Sequence, residues 1–138
     1  MSKKTPSRII CSNCQHEAEY MVWQSLNVTV DPDDKELLFN ADINVFECEA
    51  CSETFFMDTW FAYHDMDKKF YVQYIPKYEL ENPDSFNDYG PDGSYTALPE
   101  IMPPGMDYME HPHIVFSMDE LVKHVIFRDL VFDLHNQL

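Results

Sequence analysis

Glycine is scarce in this chain, which has 138 residues and only three glycines. All three lie between residues 79 and 113. Loops that wrap around phosphate groups need several glycines placed between a strand and a helix. The chain also lacks a nucleophile motif and a helical His-Glu-x-x-His pattern. We therefore expect no nucleotide-binding loop, and we favour a non-enzymatic protein over an enzyme.

Basic residues are few and unevenly placed. Nine Lys and Arg stand against 25 Asp and Glu, which gives a net charge of −16. Residues 78–122 contain ten acidic residues and no Lys or Arg. Binding to nucleic acid requires a basic stripe that neutralises phosphates, and this composition cannot supply one. We expect no direct nucleic-acid partner; a protein partner would present a basic or an apolar surface. An acidic mimic of nucleic acid that binds a basic protein is a less favoured alternative.

Long apolar runs are also missing. No segment approaches the roughly 18–20 apolar residues of a membrane-spanning helix. The first residues, Met1 to Pro6, lack the apolar core of a secretory signal. We therefore expect no membrane partner. Closely spaced thiols without an export signal favour a reducing, cytoplasmic location.

Every cysteine belongs to one of two Cys-x-x-Cys pairs, Cys11 with Cys14 and Cys48 with Cys51. Two intervening residues let both sulfurs of a pair face one ion about 2.3 Å away, so two such turns can supply a tetrahedral site. Strand-like residues flank both pairs, whereas redox-active pairs usually follow a strand and open a helix. We predict a structural Zn²⁺ site formed by these four cysteines. A thiol or metal enzyme that uses the pairs is the second alternative, and two disulfides are the third.

The six histidines add no second site with comparable support. His16 follows the first pair closely, but four thiols already complete a zinc site. His111 and His113 alternate in an extended segment without further fixed ligands. We interpret them as ordinary polar side chains.

Residues 7–76 are predicted to form a zinc-ribbon-like β part. Strands are expected on both sides of each cysteine pair, and a short helix is expected from Asp33 to Phe39 after the start signal at Asp31 and Pro32. An aromatic-rich run, Glu53 to Tyr63, is predicted as one long strand. It pairs with Phe70 to Ile75 in the clearest hairpin of the chain.

Residues 79–113 are predicted to be a long acidic loop. The segment holds six of the nine prolines, a density that regular elements do not tolerate. It also carries many aromatic and methionine side chains that a solvated linker would not need. We expect the segment to pack on its own domain, and a docking surface is the alternative.

The chain ends in a predicted amphipathic helix, residues 117–137. Ser117 and Glu120 form a capping box at its start. A stripe from Leu121 to Leu134 recurs at three- and four-residue spacing, which predicts a buried face over about five turns. Further apolar residues beyond this stripe suggest that the helix could also mediate oligomerisation.

The motifs as a whole resemble the CpXC family of uncharacterised bacterial and archaeal proteins. The resemblance rests on the two Cys-x-x-Cys pairs, on the residues Ile43 to Glu47 that lead into the second pair, and on Tyr63-His64-Asp65 followed by a strand from Phe70 to Pro76. The chain departs from the family in one respect, because Ser12 and Glu49 stand where the family has proline. The resemblance implies metal binding through the four cysteines and implies no particular activity.

These observations predict a single α+β domain that covers residues 1–138. In it an antiparallel sheet carries the four-cysteine end, and the C-terminal helix packs on the sheet. The function expected is that of a zinc-binding, non-enzymatic interaction or structural protein.

Overall fold

The computed structural model describes residues 2–136 and has an α+β fold, as predicted. Its main sheet has five strands in the order β1-β2-β5-β6-β7, and β3 and β4 form a second, two-stranded sheet. The strands are β1 (Lys3–Ile10), β2 (Glu17–Asn27), β3 (Val45–Glu47), β4 (Thr54–Phe56), β5 (Phe61–Asp65), β6 (Phe70–Tyr74) and β7 (His113–Val115), and the α-helices are α1 (Lys35–Phe39) and α2 (Met118–Asn136).

The main sheet is mixed, whereas the sequence predicted an antiparallel one. β1 pairs with β2 and β5 pairs with β6 in the antiparallel sense, but β2 runs parallel to β5 and β6 runs parallel to β7. Parallel neighbours need a long crossover connection. Residues 28–60 and 75–112 provide these two crossovers. Alternation along a strand does not reveal which distant strand becomes its neighbour, so the sequence could not indicate this.

The predicted long strand from Glu53 to Tyr63 is divided between the two sheets. β4 pairs with β3, the chain turns away over residues 57–60, and β5 then enters the main sheet. The division follows from a backbone contact, because Met57 N donates to the carbonyl of Asn44, 2.8 Å away. The predicted hairpin of β5 and β6 is confirmed, with Asp65 opposite Phe70 at its turn.

The core lies between the main sheet and α2. All five residues of β5 are buried, because α2 covers one face of the sheet and residues 79–113 cover part of the other. On the helix side Phe61 and Val72 pack with Leu121 and Val125. Within residues 2–136, no helix is both long and apolar enough to cross a membrane.

The C-terminal helix begins as predicted, with the Ser117 hydroxyl accepting a hydrogen bond from the Glu120 backbone N–H at 3.1 Å. The predicted five-turn buried stripe is wrong for the second half of the helix. Ile126, Leu130 and Leu134 are 44%, 64% and 61% exposed. α2 has 19 residues, whereas β6 and β7 beneath it have five and three, so the helix extends beyond the sheet that could cover it. The predicted helix end at residue 137 lies outside the described residues.

The segment predicted as a loop contains short regular pieces. These are 3₁₀ turns at Lys77–Glu81, Pro83–Phe86 and Asp107–Glu110, and the segment also supplies His113 to β7. A 3₁₀ turn fits because proline is tolerated at its first position, as Pro83 shows. The segment packs on the domain, where the Tyr108 hydroxyl contacts His64 Nε2 at 2.5 Å.

Candidate metal centre

The first cysteine pair lies in the turn between β1 and β2. The two strands end opposite each other at Ile10 and Glu17. Within the turn, Cys11 N donates to the carbonyl of His16 and Gln15 N donates to the carbonyl of Cys11, both at 2.8 Å. The turn is thus closed by its own backbone, and the strand pair fixes its position.

The second pair repeats this arrangement between β3 and β4. Cys48 N donates to the carbonyl of Glu53 at 2.8 Å, and Ser52 N donates to the carbonyl of Cys48 at 2.9 Å. In both turns the residue after the second cysteine has a positive φ, 69° at Gln15 and 63° at Ser52. The two turns therefore share one backbone conformation, although their sequences differ.

The two turns bring all four predicted cysteines together. Their sulfurs lie within 4.8 Å of one another. The close pairs cross from one turn to the other: Cys11 and Cys51 are 3.7 Å apart and Cys14 and Cys48 are 3.6 Å apart, both measured between Sγ atoms. A disulfide needs about 2.05 Å, and the four cysteines are free thiols.

These distances fit a tetrahedral metal. Four sulfurs placed about 2.3 Å from a central ion lie about 3.8 Å from one another along the edges of the tetrahedron. The two close pairs match that edge within 0.2 Å. The cluster could therefore hold a metal ion, and an ion bound there would crosslink two chain segments that are more than 30 residues apart.

The four sulfurs differ in exposure. Cys11 and Cys48 are buried, whereas Cys51 is partly exposed and Cys14 is exposed. The first cysteine of each pair thus faces the protein, and the second lies toward solvent. A metal ion could reach the cluster from the exposed side.

The thiols also differ in acidity. A hydrogen bond from the Asn13 side chain, at 3.4 Å, and then one from the Glu53 backbone lower the pKa of Cys51 to about 6. A hydrogen bond with the His16 backbone lowers the pKa of Cys14, but partial desolvation of its sulfur within the cluster and hydrogen bonds with the other three thiols outweigh it and raise that pKa to about 12. The Cys51 thiol therefore ionises more readily than the Cys14 thiol, and a bound cation would favour ionisation of all four thiols.

An aromatic cluster connects the two turns behind the cysteines. Tyr20 of β2 packs against Phe46 and Phe55 of the small sheet, with ring centroids 5.0 and 5.7 Å apart. The two phenylalanine rings are 5.9 Å from each other. Tyr20, Phe46 and Phe55 lie on strands that lead into or out of a cysteine turn. Their packing therefore fixes the position of one turn relative to the other.

The histidines lie outside this cluster. His16 Nε2 is 3.7 Å from the Glu49 carboxylate, and His113 stacks on His124 with ring centroids 3.7 Å apart. Across residues 2–136, the four cysteines are the one group of three or more His, Cys, Asp or Glu side chains arranged to hold a metal. Neither cysteine turn opens a helix, which is the usual setting of a redox-active pair.

Two residues that support the site were not identified from the sequence. Asn13 bonds Cys51 across the two turns, and Asn44 fixes the small sheet to β2. The strand that the sequence predicts before the second cysteine pair, Ile43 to Glu47, includes Asn44, whereas β3 begins at Val45 and Asn44 has a φ of 57°. Asparagine tolerates positive φ better than most residues, and this tolerance was the only signal the sequence offered.

Comparison with known proteins gave one match. The family described as CpXC protein matches residues 9–133, which is nearly the whole chain. No curated protein matches the chain. No solved structure matches it either.

Proposed function

We propose that this chain, which belongs to the CpXC family, is a zinc-stabilised, non-enzymatic interaction protein. Cys11, Cys14, Cys48 and Cys51 would bind one Zn²⁺. The observation that carries this proposal is the match between the 3.6 and 3.7 Å sulfur separations and the edge of a zinc–thiolate tetrahedron.

Zinc is favoured over other metals by the donor set. Four thiolates are soft ligands, and a tetrahedral set of four sulfurs suits Zn²⁺ or an iron centre rather than Mg²⁺ or Ca²⁺. Four ligands on two short turns form a closed site of the structural type. When bound, zinc would supply crosslinking and charge neutralisation, and the turns would supply the geometry.

A structural role for the thiols also argues against the enzyme alternative. A zinc ion with four protein ligands keeps no open position for water or substrate. Thiolates bound in this way are weak nucleophiles, so the low pKa of Cys51 would serve metal binding rather than redox chemistry. Cysteines that bind zinc must stay reduced, which supports a reducing, cytoplasmic location.

We assign the interaction surface to the exposed half of α2. Ile126, Phe127, Leu130 and Leu134 are all more than two-fifths exposed and recur at three- and four-residue spacing along one helix. Such a narrow apolar seam is the kind that pairs with an identical helix about a two-fold axis. This half of the helix carries Arg128 as well as the acids Asp129 and Asp133, so two copies would bring charges of both signs to the contact. The proposed partner is thus another copy of the chain.

Nucleic acid is not a proposed partner. Residues 78–122, with ten acids and no Lys or Arg, would repel a phosphate backbone. The same acidity suits an acidic mimic of nucleic acid, which stays the less favoured alternative.

Elemental analysis of protein purified without chelator tests the zinc proposal. We expect one equivalent of zinc in the native protein and a much lower content in Cys48→Ser, with Ser52→Ala as the matched control in the same turn. Structural zinc contributes about 10–16 kcal/mol near neutral pH, so a chelator should unfold the cysteine end. Less than about half an equivalent of metal, together with four reactive thiols, would refute the proposal.

Size-exclusion chromatography with light scattering tests the helix seam. We expect a concentration-dependent dimer that Leu130→Glu abolishes while the zinc content is unchanged. Lys123→Glu on the same helix is the control for added charge. A protein that stays monomeric up to about 1 mM would refute self-association without affecting the zinc proposal.

A further inference from the structure

A separate cavity lies on the face of the main sheet opposite α2. Along β6, Phe70, Val72 and Tyr74 point into the core, and the residues between them, Tyr71 and Gln73, lie on the other face. Residues 79–113 fold over that face and leave a cavity of about 340 Å³. This volume is at the lower end of the roughly 300–1,000 Å³ typical of small-ligand sites.

Four aromatic side chains line the cavity: Trp60, Tyr71, Tyr89 and Tyr95. Tyr89 and Tyr95 stand at a steep angle, with ring centroids 5.4 Å apart and ring planes 66° apart. The two rings contact each other edge to face, so they form adjacent walls of the cavity rather than a parallel stack.

Three of these four rings are held in place by aromatic contacts with residues that do not line the cavity. Phe86 packs against both Trp60 and Tyr89, at 6.2 and 6.1 Å between ring centroids. Tyr71 is held by an edge contact with His64 at 5.3 Å. Because these contacts within the protein fix the rings, the aromatic walls are preorganised, which reduces the cost of binding.

The electrostatics of the cavity favour a cation. Asp88 is the one charged residue that lines it, and within residues 2–136 this exposed residue forms no ion pair. No Lys or Arg lies among the lining residues. Burial, followed by the neighbouring tyrosines, raises the pKa of Tyr71 and of Tyr89 to about 12, so these phenols stay neutral at physiological pH.

We propose that this cavity binds a methylated ammonium group, with the aromatic rings as its walls and Asp88 as its counter-charge. The faces of Trp and Tyr rings carry negative potential and attract a cation whose charge is spread over methyl groups. A bare metal ion or a primary ammonium loses more hydration on entry and needs fixed hydrogen-bond acceptors in return. An anion would meet Asp88 and an acidic segment without any basic partner.

The sequence carries part of this signal. The segment 79–113 is rich in tyrosine although it is too interrupted by proline to form a regular element, and two of its tyrosines become cavity walls. The cavity lies in a different part of the chain from the cysteine cluster, and the ligand proposed for it does not depend on zinc at the cysteines.

Calorimetric titration of the full-length, metal-loaded protein with choline tests the proposal. We expect saturable binding together with a change in the fluorescence of Trp60. The neutral isostere of choline, in which tert-butyl replaces trimethylammonium, should bind at least about tenfold more weakly. Equal binding of the two compounds would overturn the proposal and indicate a site for neutral ligands.

Matched variants locate the site. Tyr95→Leu should weaken choline binding by about tenfold or more, and Tyr95→Phe should retain most of it because the ring face remains. Tyr78→Leu is the control, since Tyr78 is an exposed tyrosine that does not line the cavity. Asp88→Asn should weaken binding severalfold, whereas Asp84→Asn should not. Choline binding that is unchanged in both Tyr95→Leu and Asp88→Asn would also overturn the proposal.

A methylated ammonium group can come from a free metabolite or from a modified lysine in a protein. A peptide that contains trimethyllysine is compared with its unmodified form and with free choline. Tighter binding of the modified peptide would support a protein-borne group, and equal or tighter binding of choline would support a small molecule. No saturable binding of either probe up to about 10 mM would refute the proposal.

Discussion

The side-chain amide of Asn44 bonds both backbone groups of Trp23. Trp23 N donates to Asn44 Oδ1 at 2.7 Å, and Asn44 Nδ2 donates to the Trp23 carbonyl at 3.0 Å. Asn44 is only 2% exposed. One side chain thus takes the place of a missing strand partner on β2, and it joins the small sheet with the second cysteine turn to the main sheet.

Asn44→Ala should therefore destabilise the protein strongly. The substitution leaves a buried N–H and a buried carbonyl of Trp23 without partners, and it places alanine at a φ of 57°. Each unsatisfied buried group costs about 1–3 kcal/mol, so we expect a loss of about 2–4 kcal/mol. Urea unfolding of the zinc-loaded protein measures it, with the exposed Asn87→Ala as control. A loss below about 0.5 kcal/mol would show that water replaces the amide.

Glycine at two positions of the cysteine turns should maintain or increase the stability of the protein. Gln15 and Ser52 adopt φ values of 69° and 63°, a region that costs a non-glycine residue about 1 kcal/mol. Gln15→Gly and Ser52→Gly should each leave the protein as stable or up to about 1 kcal/mol more stable in thermal unfolding. Ser12→Gly in the first turn is the matched control and should be neutral or destabilising, because Ser12 is not among the positive-φ residues. Destabilisation by all three variants would show that side-chain contacts outweigh backbone strain.

The sequence predicted those features whose signals lie within a few neighbouring residues. Each Cys-x-x-Cys spacing predicted a turn whose two sulfurs can face one ion, and the Ser117–Glu120 pattern predicted the start of α2, because both patterns act within a few residues. The meeting of the two turns, whose cysteines are more than 30 residues apart, was predicted from the four ligands that a tetrahedral ion requires. The mixed sheet, the division between β4 and β5 and the role of Asn44 could not be predicted. Each depends on contacts between segments that are distant in the chain, such as the bond from Met57 N to the Asn44 carbonyl.

The end of α2 is a second feature that local sequence patterns could not predict. Its apolar periodicity predicted burial, but periodicity reports only that a face is apolar, not that a sheet extends far enough to cover it. Leu121 and Val125 lie over β6 and β7, whereas Leu130 and Leu134 extend past them. Only the tertiary structure shows which part of the apolar face of α2 stays exposed.

Asp129 connects the exposed half of α2 to the rest of the domain. Replacing Asp129 by a neutral residue should therefore destabilise the protein. One carboxylate oxygen bonds Lys35 Nζ of α1 at 2.6 Å and the other bonds Lys68 Nζ of the β5–β6 turn at 2.8 Å. All three side chains are at most a quarter exposed. Asp129→Asn leaves two lysines close together without a counter-charge, so we expect a loss of about 2–3 kcal/mol in chemical unfolding.

Two comparisons make the Asp129 test specific. Asp133→Asn removes the same charge from an exposed position on the same helix and should have little effect. Lys35→Met combined with Asp129→Asn should recover part of the loss, because one unpaired lysine is removed. If Asp129→Asn and Asp133→Asn cost the same, the two bonds of Asp129 contribute little beyond general charge.

His124 should make stability depend on pH on the acid side of neutrality. Its Nε2 is buried and has no hydrogen-bond partner among residues 2–136, its ring stacks on His113 of β7, and Arg128 lies one turn along α2. Burial, then His113 and Arg128, lower the pKa of His124 to about 4 from an ordinary value near 6.5. Between these values the unfolded chain binds the proton more readily, so stability falls as pH decreases through that window and is unaffected by this group above it. Because the ring is partly exposed, solvent screening limits the loss to about 1 kcal/mol.

His124→Phe isolates this contribution from acid effects elsewhere, including protonation of the cysteines. Phenylalanine keeps an aromatic ring against Phe70 and His113 but cannot take up the proton. Urea midpoints at neutral pH and near pH 5 should therefore differ less in His124→Phe than in the native protein, while His135→Phe at the exposed helix end should retain the native difference. If His124→Phe and the native protein lose equal stability on acidification, the unpartnered Nε2 is solvated in solution and His124 is not the group responsible.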